Sequence, residues 1–307
     1  MSTEKIRKLT NDVVLRGKLA ELDVFEGTTK EKNEKYLRVR GAIQFGEHPV
    51  STKRFDMFAK EKTSAGKKSA AYNNLQHFVD TAIPMTLNKE DPTVVGLRGE
   101  LVPNDYVNVE NELVEGINIR GAYFEKDYDT EAYPATYTIE GYIMSLTDEI
   151  KNDEPTGRKK MTLLTTNYSN EAVVIKNIII PADIVEDFED VGYEQGVSSM
   201  FYIALIPHIA EAKTSKGGFG KKVATTGASY LELILTGGED IYDEDDEKAI
   251  DSKTAKALLK ERNIKLDELK ENGYQGENSS KTTKSSATKG AAKKAVETPI
   301  DEDDLPF

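Results

Sequence analysis

The chain contains no cysteine and no tryptophan. Without cysteine there can be no disulfide and no thiolate metal ligand, a composition that suits a reducing compartment. Without tryptophan, any ring offered to a ligand must come from the 14 tyrosines and 10 phenylalanines. The three histidines, His48, His77 and His208, stand too far apart to make a metal-binding pattern. No apolar run approaches the roughly 20 residues that cross a bilayer. Residues 1–10 are charged and hold no apolar stretch, so neither a leader nor a membrane anchor is expected. Phosphate-binding glycine loops, nucleophile elbows and zinc-protease helices are also missing. No enzyme chemistry and no cofactor is expected from these residues.

What is abundant is charge. The net charge of −13 argues at first sight against a polyanionic ligand. Its distribution says more than its sum. Residues 1–100 hold 18 Lys/Arg against 14 Asp/Glu, residues 101–238 hold 11 against 22, and residues 239–307 hold 12 against 18. Screening confines each charge to roughly 8 Å in physiological salt. A basic groove in the first third is therefore compatible with an acidic whole.

Periodicity organises that first third. Residues 12–24 alternate, with Val13, Leu15 and Leu19 on one side. Residues 35–45 alternate too, Leu37, Val39, Ile43 and Phe45 opposing Tyr36, Arg38, Arg40 and Gln44. A third strand is expected over 50–58. A basic loop follows over 60–69, then a helix over 70–83 closed by Pro84. Two more strands fall at 93–102 and 116–124, joined through Tyr106. Three strands, a helix and two strands is the order of an OB barrel. Arg-Gly recurs inside four of the five strands, at Arg16-Gly17, Arg40-Gly41, Arg98-Gly99 and Arg120-Gly121. Such glycines suit sharp bends or close backbone approach.

The pattern repeats after an acidic connector at 125–131. Strands are expected at 135–146, 158–168, 172–180, 199–209 and 228–236, with a short helix at 182–191 opened by Pro181. A basic loop with Lys213, Lys216, Phe219, Lys221 and Lys222 separates the last two strands. The fold class is thus all-β, two tandem OB barrels each with one short helix. The expected divisions are a first barrel over 9–126, a second over 134–238, and an acidic segment over 239–274 with one or two short helices. A Ser/Thr/Lys/Ala-rich disordered linker over 275–300 and an acidic tip over 301–307 complete the chain.

Recognition of single strands without sequence preference needs cations along the backbone and rings for bases to stack on. Tyr36, Arg38 and Arg40 interleave these on the outward side of the second strand, where OB barrels take oligonucleotides. Lys35, Lys53, Arg54, Lys67, Lys68 and Tyr106 extend the set. Phe58 shares the parity of Arg54 and Phe55 that of Lys53, so only Phe58 can join Arg54 on one face. In the second barrel the candidates are Lys159 and Lys160, beside Arg158, and the basic loop. Each set also reads as an ordinary solvated surface.

The last seven residues, Asp301, Glu302, Asp303, Asp304, Leu305, Pro306 and Phe307, join four acids to a proline-stiffened apolar end. On composition this is a solvated tail; its aromatic terminus also suits docking into an apolar pocket with a basic rim. With the body before it, this tip resembles the acidic terminus of single-stranded DNA-binding proteins of bacterial and bacteriophage type. Residues 52–58, Thr-Lys-Arg-Phe-Asp-Met-Phe, resemble that family's third strand, and 94–101, Val-Val-Gly-Leu-Arg-Gly-Glu-Leu, its fourth. The resemblance implies a non-enzymatic protein of the host-cell cytoplasm that protects single-stranded DNA. It also implies recruitment of replication, recombination and repair proteins through residues 301–307. The chain departs from the family in fusing two barrels and in lacking its stacking tryptophans; two fused barrels look more like a bacteriophage version. Two other readings share the features: a phage assembly protein with an interaction tail, and a strand-annealing recombination mediator.

Overall fold

The computed structural model describes residues 7–29, 33–125, 133–209, 228–243 and 246–274, together with the backbone of 212–215, 223–226 and 295–296. The first unit runs β1 (Asn11–Thr28), β2 (Lys35–Gln44), β3 (Thr52–Lys60), α1 (Ala70–Thr81) and β4 (Val94–Pro103). A small hairpin, β5 (Tyr106–Val107) and β6 (Leu113–Val114), leads to β7 (Ile117–Glu125). The second unit runs β8 (Ala135–Lys151), β9 (Glu154–Thr166), β10 (Ala172–Ile180), α2 (Val185–Asp190) and β11 (Ser198–His208). The hairpin β12 (Ala212–Ser215) and β13 (Val223–Thr226) precedes β14 (Tyr230–Gly238). A single long helix, α3 (Ser252–Asn272), follows, and β15 (Ala295–Val296) pairs in parallel with Phe25 and Glu26 of β1.

Both units close in one order. β1 pairs with β2, β2 with β3, β3 with β7, β7 with β4, and β4 returns to β1. β8, β9, β10, β14 and β11 repeat this circuit. This is the five-stranded OB barrel twice over. The barrels are joined edge to edge: β1 pairs antiparallel with β8 from Asn11↔Ile139 to Leu15↔Ala135. One apolar cluster therefore runs through both, with Leu15, Leu97 and Ile119 in the first and Ile139, Leu163 and Phe201 in the second. Each such fully buried side chain contributes about 1.5–3 kcal/mol.

The Arg-Gly pairs mark close approach. A Cβ on Gly17 would strike the Gln44 carbonyl, and one on Gly99 the Arg120 carbonyl. The register of β1 against β2 slips between Leu19 and Glu21, and that of β4 against β7 between Arg98 and Gly99, which bends the strands into closure. The arginines pair with acids: Arg16 and Arg98 share Glu125, Arg120 meets Glu100, and Arg40 meets Asp56.

The helix α3 begins at an N-cap, Asp251, whose carboxylate accepts the Thr254 N–H at 2.6 Å. It lies on the outer face of the second barrel. Ile250, Ala255 and Leu258 pack on Leu164, Ala172 and Val174. Its Arg262 reaches across to the first barrel, pairing with Asp105 at 2.9 Å and Glu115 at 3.3 Å beside the β5–β6 hairpin, and donates to the Ala172 carbonyl.

A second staple holds the start of the chain. The Arg7 guanidinium forks onto Glu140 of β8 at 3.0 and 2.9 Å, and Glu140 also accepts the Thr10 N–H at 2.6 Å and the Tyr242 hydroxyl at 2.9 Å. Burial alone would raise the Glu140 pKa. The Arg7 fork and the two further donors outweigh it and bring it down to about 2. A folded-state pKa below the unfolded one means stability that is fully present above the ordinary glutamate value of 4.5 and lost as pH falls toward 2. Glu140→Gln should therefore cost about 2 kcal/mol at pH 7. In urea melts the gap to wild type should close between pH 5 and 2. Parallel stability curves over that range would exclude the linkage.

Candidate nucleic-acid interface

The register of β1, β2 and β3 builds the outward face of the first barrel in rows. Gly27, Tyr36 and Lys60 form the top row. Phe25, Arg38 and Phe58 form the next, then Asp23, Arg40 and Asp56, then Glu21, Ala42 and Arg54. Neighbouring strands lie about 4.8 Å apart, so one extended polymer can touch three strands at each row.

Tyr36 corrects an expectation. It does lie on the outward side of β2, but its ring is 0% exposed rather than open for stacking. It stacks on Phe58, centroids 5.2 Å apart, and lies against Gly27, where a Cβ would collide with it. The rings left partly open on this face are Phe25 and Phe58. Sequence reasoning missed Phe25; its signal is its position at the far end of the long first strand, two residues beyond Asp23 in the same alternation.

The arginines are held by acids. Arg38 forks onto Asp56, with the shortest contact at 2.6 Å, and is mostly buried. Arg40 is half exposed, 3.4 Å from Asp56, with its guanidinium 5.4 Å over the Phe25 ring. The Arg54 side chain is 81% exposed and touches Glu21 at 3.4 Å. Exposed pairs of this kind are worth at most about 1 kcal/mol, so a phosphate can displace the carboxylate at small cost. The lower rows open into a cavity of about 780 Å³ lined by Glu21, Ala42, Gln44, Thr52, Lys53 and Arg54, and by Met85 and Lys89 from the segment after α1. Asn104 and Asn118 close it from the strand β4–β7 side.

The other candidates scatter. Lys67 and Lys68 are exposed on the loop between β3 and α1. Tyr106 is 49% exposed on the β5–β6 hairpin and does not line the cavity. Phe55 is core, 2% exposed, as its parity requires. Lys53 points away from Arg54 and is partly buried. It stands on the wall that this cavity shares with a second one, of about 580 Å³, between the barrels. Lys160 lines that second cavity. Lys159 faces the other way, 2.8 Å from Glu189 and 3.4 Å from Asp148, and the hydrogen bond to Glu189 raises its pKa. Lys216, Phe219, Lys221, Lys222 and all of residues 301–307 lie outside the described residues, as does the Lys213 side chain.

The corresponding face of the second barrel is not open. Leu164 takes the place of Gln44 in the strand circuit, its carbonyl lying against Gly141 as that of Gln44 lies against Gly17; it is buried, and α3 covers that end of the sheet. The two barrels thus present one open and one covered face. Among the described residues no group of His, Cys, Asp and Glu could hold a metal ion, and no helix is long and apolar enough to cross a membrane.

Among solved structures, the chain is similar to the wild-type single-stranded DNA-binding protein of Thermus aquaticus, with 9% identity and a TM-score of 0.45 over 78% of this chain and 97% of that one. It is equally similar to a deletion mutant of that protein, with 10% identity and a TM-score of 0.45 over 78% and 98%. No curated protein matches the sequence. The family model described as YorF matches residues 10–272, which takes in both barrels and α3; the chain belongs to the YorF family.

Proposed function

We propose that the chain binds single-stranded DNA, with little sequence preference, on the outward face of β1, β2 and β3. The observation that carries this is the row Phe25–Arg38–Phe58 with Arg40 and Arg54 in the rows beside it. Cations and rings interleave across three strands of an OB barrel, on the side where such barrels hold oligonucleotides. The arginines would release condensed counterions from the strand's phosphates, and Phe25 and Phe58 would offer faces that every base can stack on.

The acidic tip extends the reading. Residues 301–307 resemble the partner-recruiting terminus of bacterial and phage single-strand binders, and on that sequence alone we place the protein in phage DNA replication, recombination and repair. Its partners there would be replication and recombination proteins.

The test is a titration of the full chain against labelled oligo-dT at several salt concentrations. Three arginines on phosphates give a slope of at least about −2 in log K against log salt, at roughly 0.7 per contact on single strands. Duplex of the same length should bind more weakly. Absent binding at low salt, or equal binding of duplex, would sink the reading and leave the assembly-protein alternative.

A further inference from the structure

The cleft between the barrels has a charge unlike that of the chain. Its lining includes four lysines, Lys53, Lys151, Lys160 and Lys176, against two glutamates, Glu149 and Glu232. Arg158 engages both of those glutamates, at 3.2 and 2.8 Å. The protein as a whole is acidic, yet this 580 Å³ cleft carries a cationic excess.

Each lysine reaches the cleft for a local reason. Lys151 ends β8, 3.5 Å from Glu149, and Lys160 on β9 lies 3.9 Å from the same carboxylate. Lys176 sits in a bulge: the β10–β9 register breaks between Ile175 and Ile178, and Asn177 takes φ 60°. The bulge re-aims the strand at this point. Lys176 thereby meets Glu115 of the first barrel at 3.2 Å. Lys53 comes from the opposite wall, at the start of β3. It has no ion pair among the described residues, and burial away from water lowers its pKa below the ordinary lysine value. A partly buried amine with no carboxylate partner, on the wall between two cavities, has an unmet demand for an anion.

Lys53 also fixes the geometry. It lines both the cavity under Arg54 and the cleft, as does Ile117, so the two are neighbouring segments of one path. At the far side of the cleft Tyr230 is 44% exposed, its ring stacked on His208 with centroids 5.2 Å apart. That is a supported aromatic face among the residues that line a lysine-bearing passage.

We propose that a single strand bound on the outer face of the first barrel turns at Lys53 into the inter-barrel cleft, where Lys53, Lys151, Lys160 and Lys176 hold its phosphates and Tyr230 offers a face to a base. The second barrel then contributes to binding through its side next to the first, while α3 covers its own sheet face. This rests on the single-strand reading given above and adds to it a path and a length: one barrel face alone serves a short strand, and the cleft serves only a longer one.

The experiment compares the full chain with Lys151→Gln/Lys160→Gln, at two positions that line the cleft alone, on two labelled oligo-dT lengths. One is about 6 nucleotides, near the lower end of what one OB barrel holds, and one is about 20. These changes keep side-chain bulk and leave the Lys176–Glu115 pair in place, and a thermal melt checks that the variant folds as wild type does. The proposal expects about tenfold or greater loss of affinity on the long strand, a salt slope shallower by about 1.4, and no change on the short one. Equal loss on both lengths, or none on the long strand while wild type binds it, overturns the path through the cleft and leaves the outer-face reading standing. Failure of wild type to bind either length overturns both.

Discussion

Replacing Arg262 with alanine should destabilise the protein by about 3–5 kcal/mol, the range found when one partner of a buried ion pair is removed. For a chain of this size that is a fall in Tm of about 5–8 °C, which circular dichroism melts will read. The side chains of Arg262 and Asp105 are 8% and 9% exposed. Removing the guanidinium strands Asp105 away from water with only the Gly116 N–H, at 3.1 Å, to satisfy it. Glu115 and the Ala172 carbonyl lose a donor as well. Three elements come apart together: α3, the β5–β6 hairpin of the first barrel and the start of β10. Because the pair is buried, added salt should not mimic the mutation. The double change Arg262→Met/Asp105→Leu should recover most of the loss, since an apolar pair of similar volume can replace a buried ion pair at little cost. A loss below about 1 kcal/mol for Arg262→Ala would mean that the apolar contacts of Ile250, Ala255 and Leu258 hold the helix unaided.

The covered face that α3 needs was legible in the strands, although only in hindsight of where the helix lies. β2 alternates, Leu37-Arg38-Val39-Arg40, and one of its faces carries charge. β10 does not: Ala172, Val173, Val174 and Ile175 are apolar in succession and all buried. A run without alternation is a strand covered on both sides. The barrel circuit followed from the same periodicity, because strand order and helix position depend on local pattern. The N-terminal bounds of α2 were less accessible. Pro181 suits a helix start, but a turn from the Ile184 N–H to the Pro181 carbonyl intervenes and the helix begins at Val185.

The site was legible as a face and not as a surface. Parity placed Tyr36, Arg38 and Arg40 on one side correctly. What parity cannot show is the neighbour across the strand. Tyr36 is buried because Gly27, opposite it, leaves room for its ring and Phe58 closes over it. Lys176 is the converse case. A bulge at Asn177 aims it at the first barrel, and no alternation in the sequence announces a residue held at positive φ. Lys53 was recognised as basic, yet its place between two cavities depends on how β1 and β8 join the barrels, a pairing of strands more than a hundred residues apart.

Reversing Arg40 and Arg54 to glutamate together should weaken single-strand binding by about 100-fold or more in physiological salt while leaving the fold intact. Both side chains are at least half exposed and their acid partners gain little from them, so stability should change by less than about 1 kcal/mol. On the DNA the effect is large for two reasons. Two phosphate contacts are lost, which removes about 1.4 from the salt slope, and two carboxylates then join Glu21, Asp23 and Asp56 on the same rows. The effect has to be separated from the general repulsion of an already acidic protein. Lys256→Glu/Lys260→Glu makes the same change in net charge on the exposed side of α3, away from the first barrel's face. Long-range repulsion reaches only about 8 Å in physiological salt, so this control should bind oligo-dT nearly as wild type does. Phe58→Leu completes the argument: it keeps apolar cover over Tyr36 and removes a stacking face, and should cost about 1–3 kcal/mol of binding without altering the salt slope. If the arginine reversal and the α3 control weaken binding alike, the strand is repelled by the whole protein and the rows on β1, β2 and β3 are not where it lies.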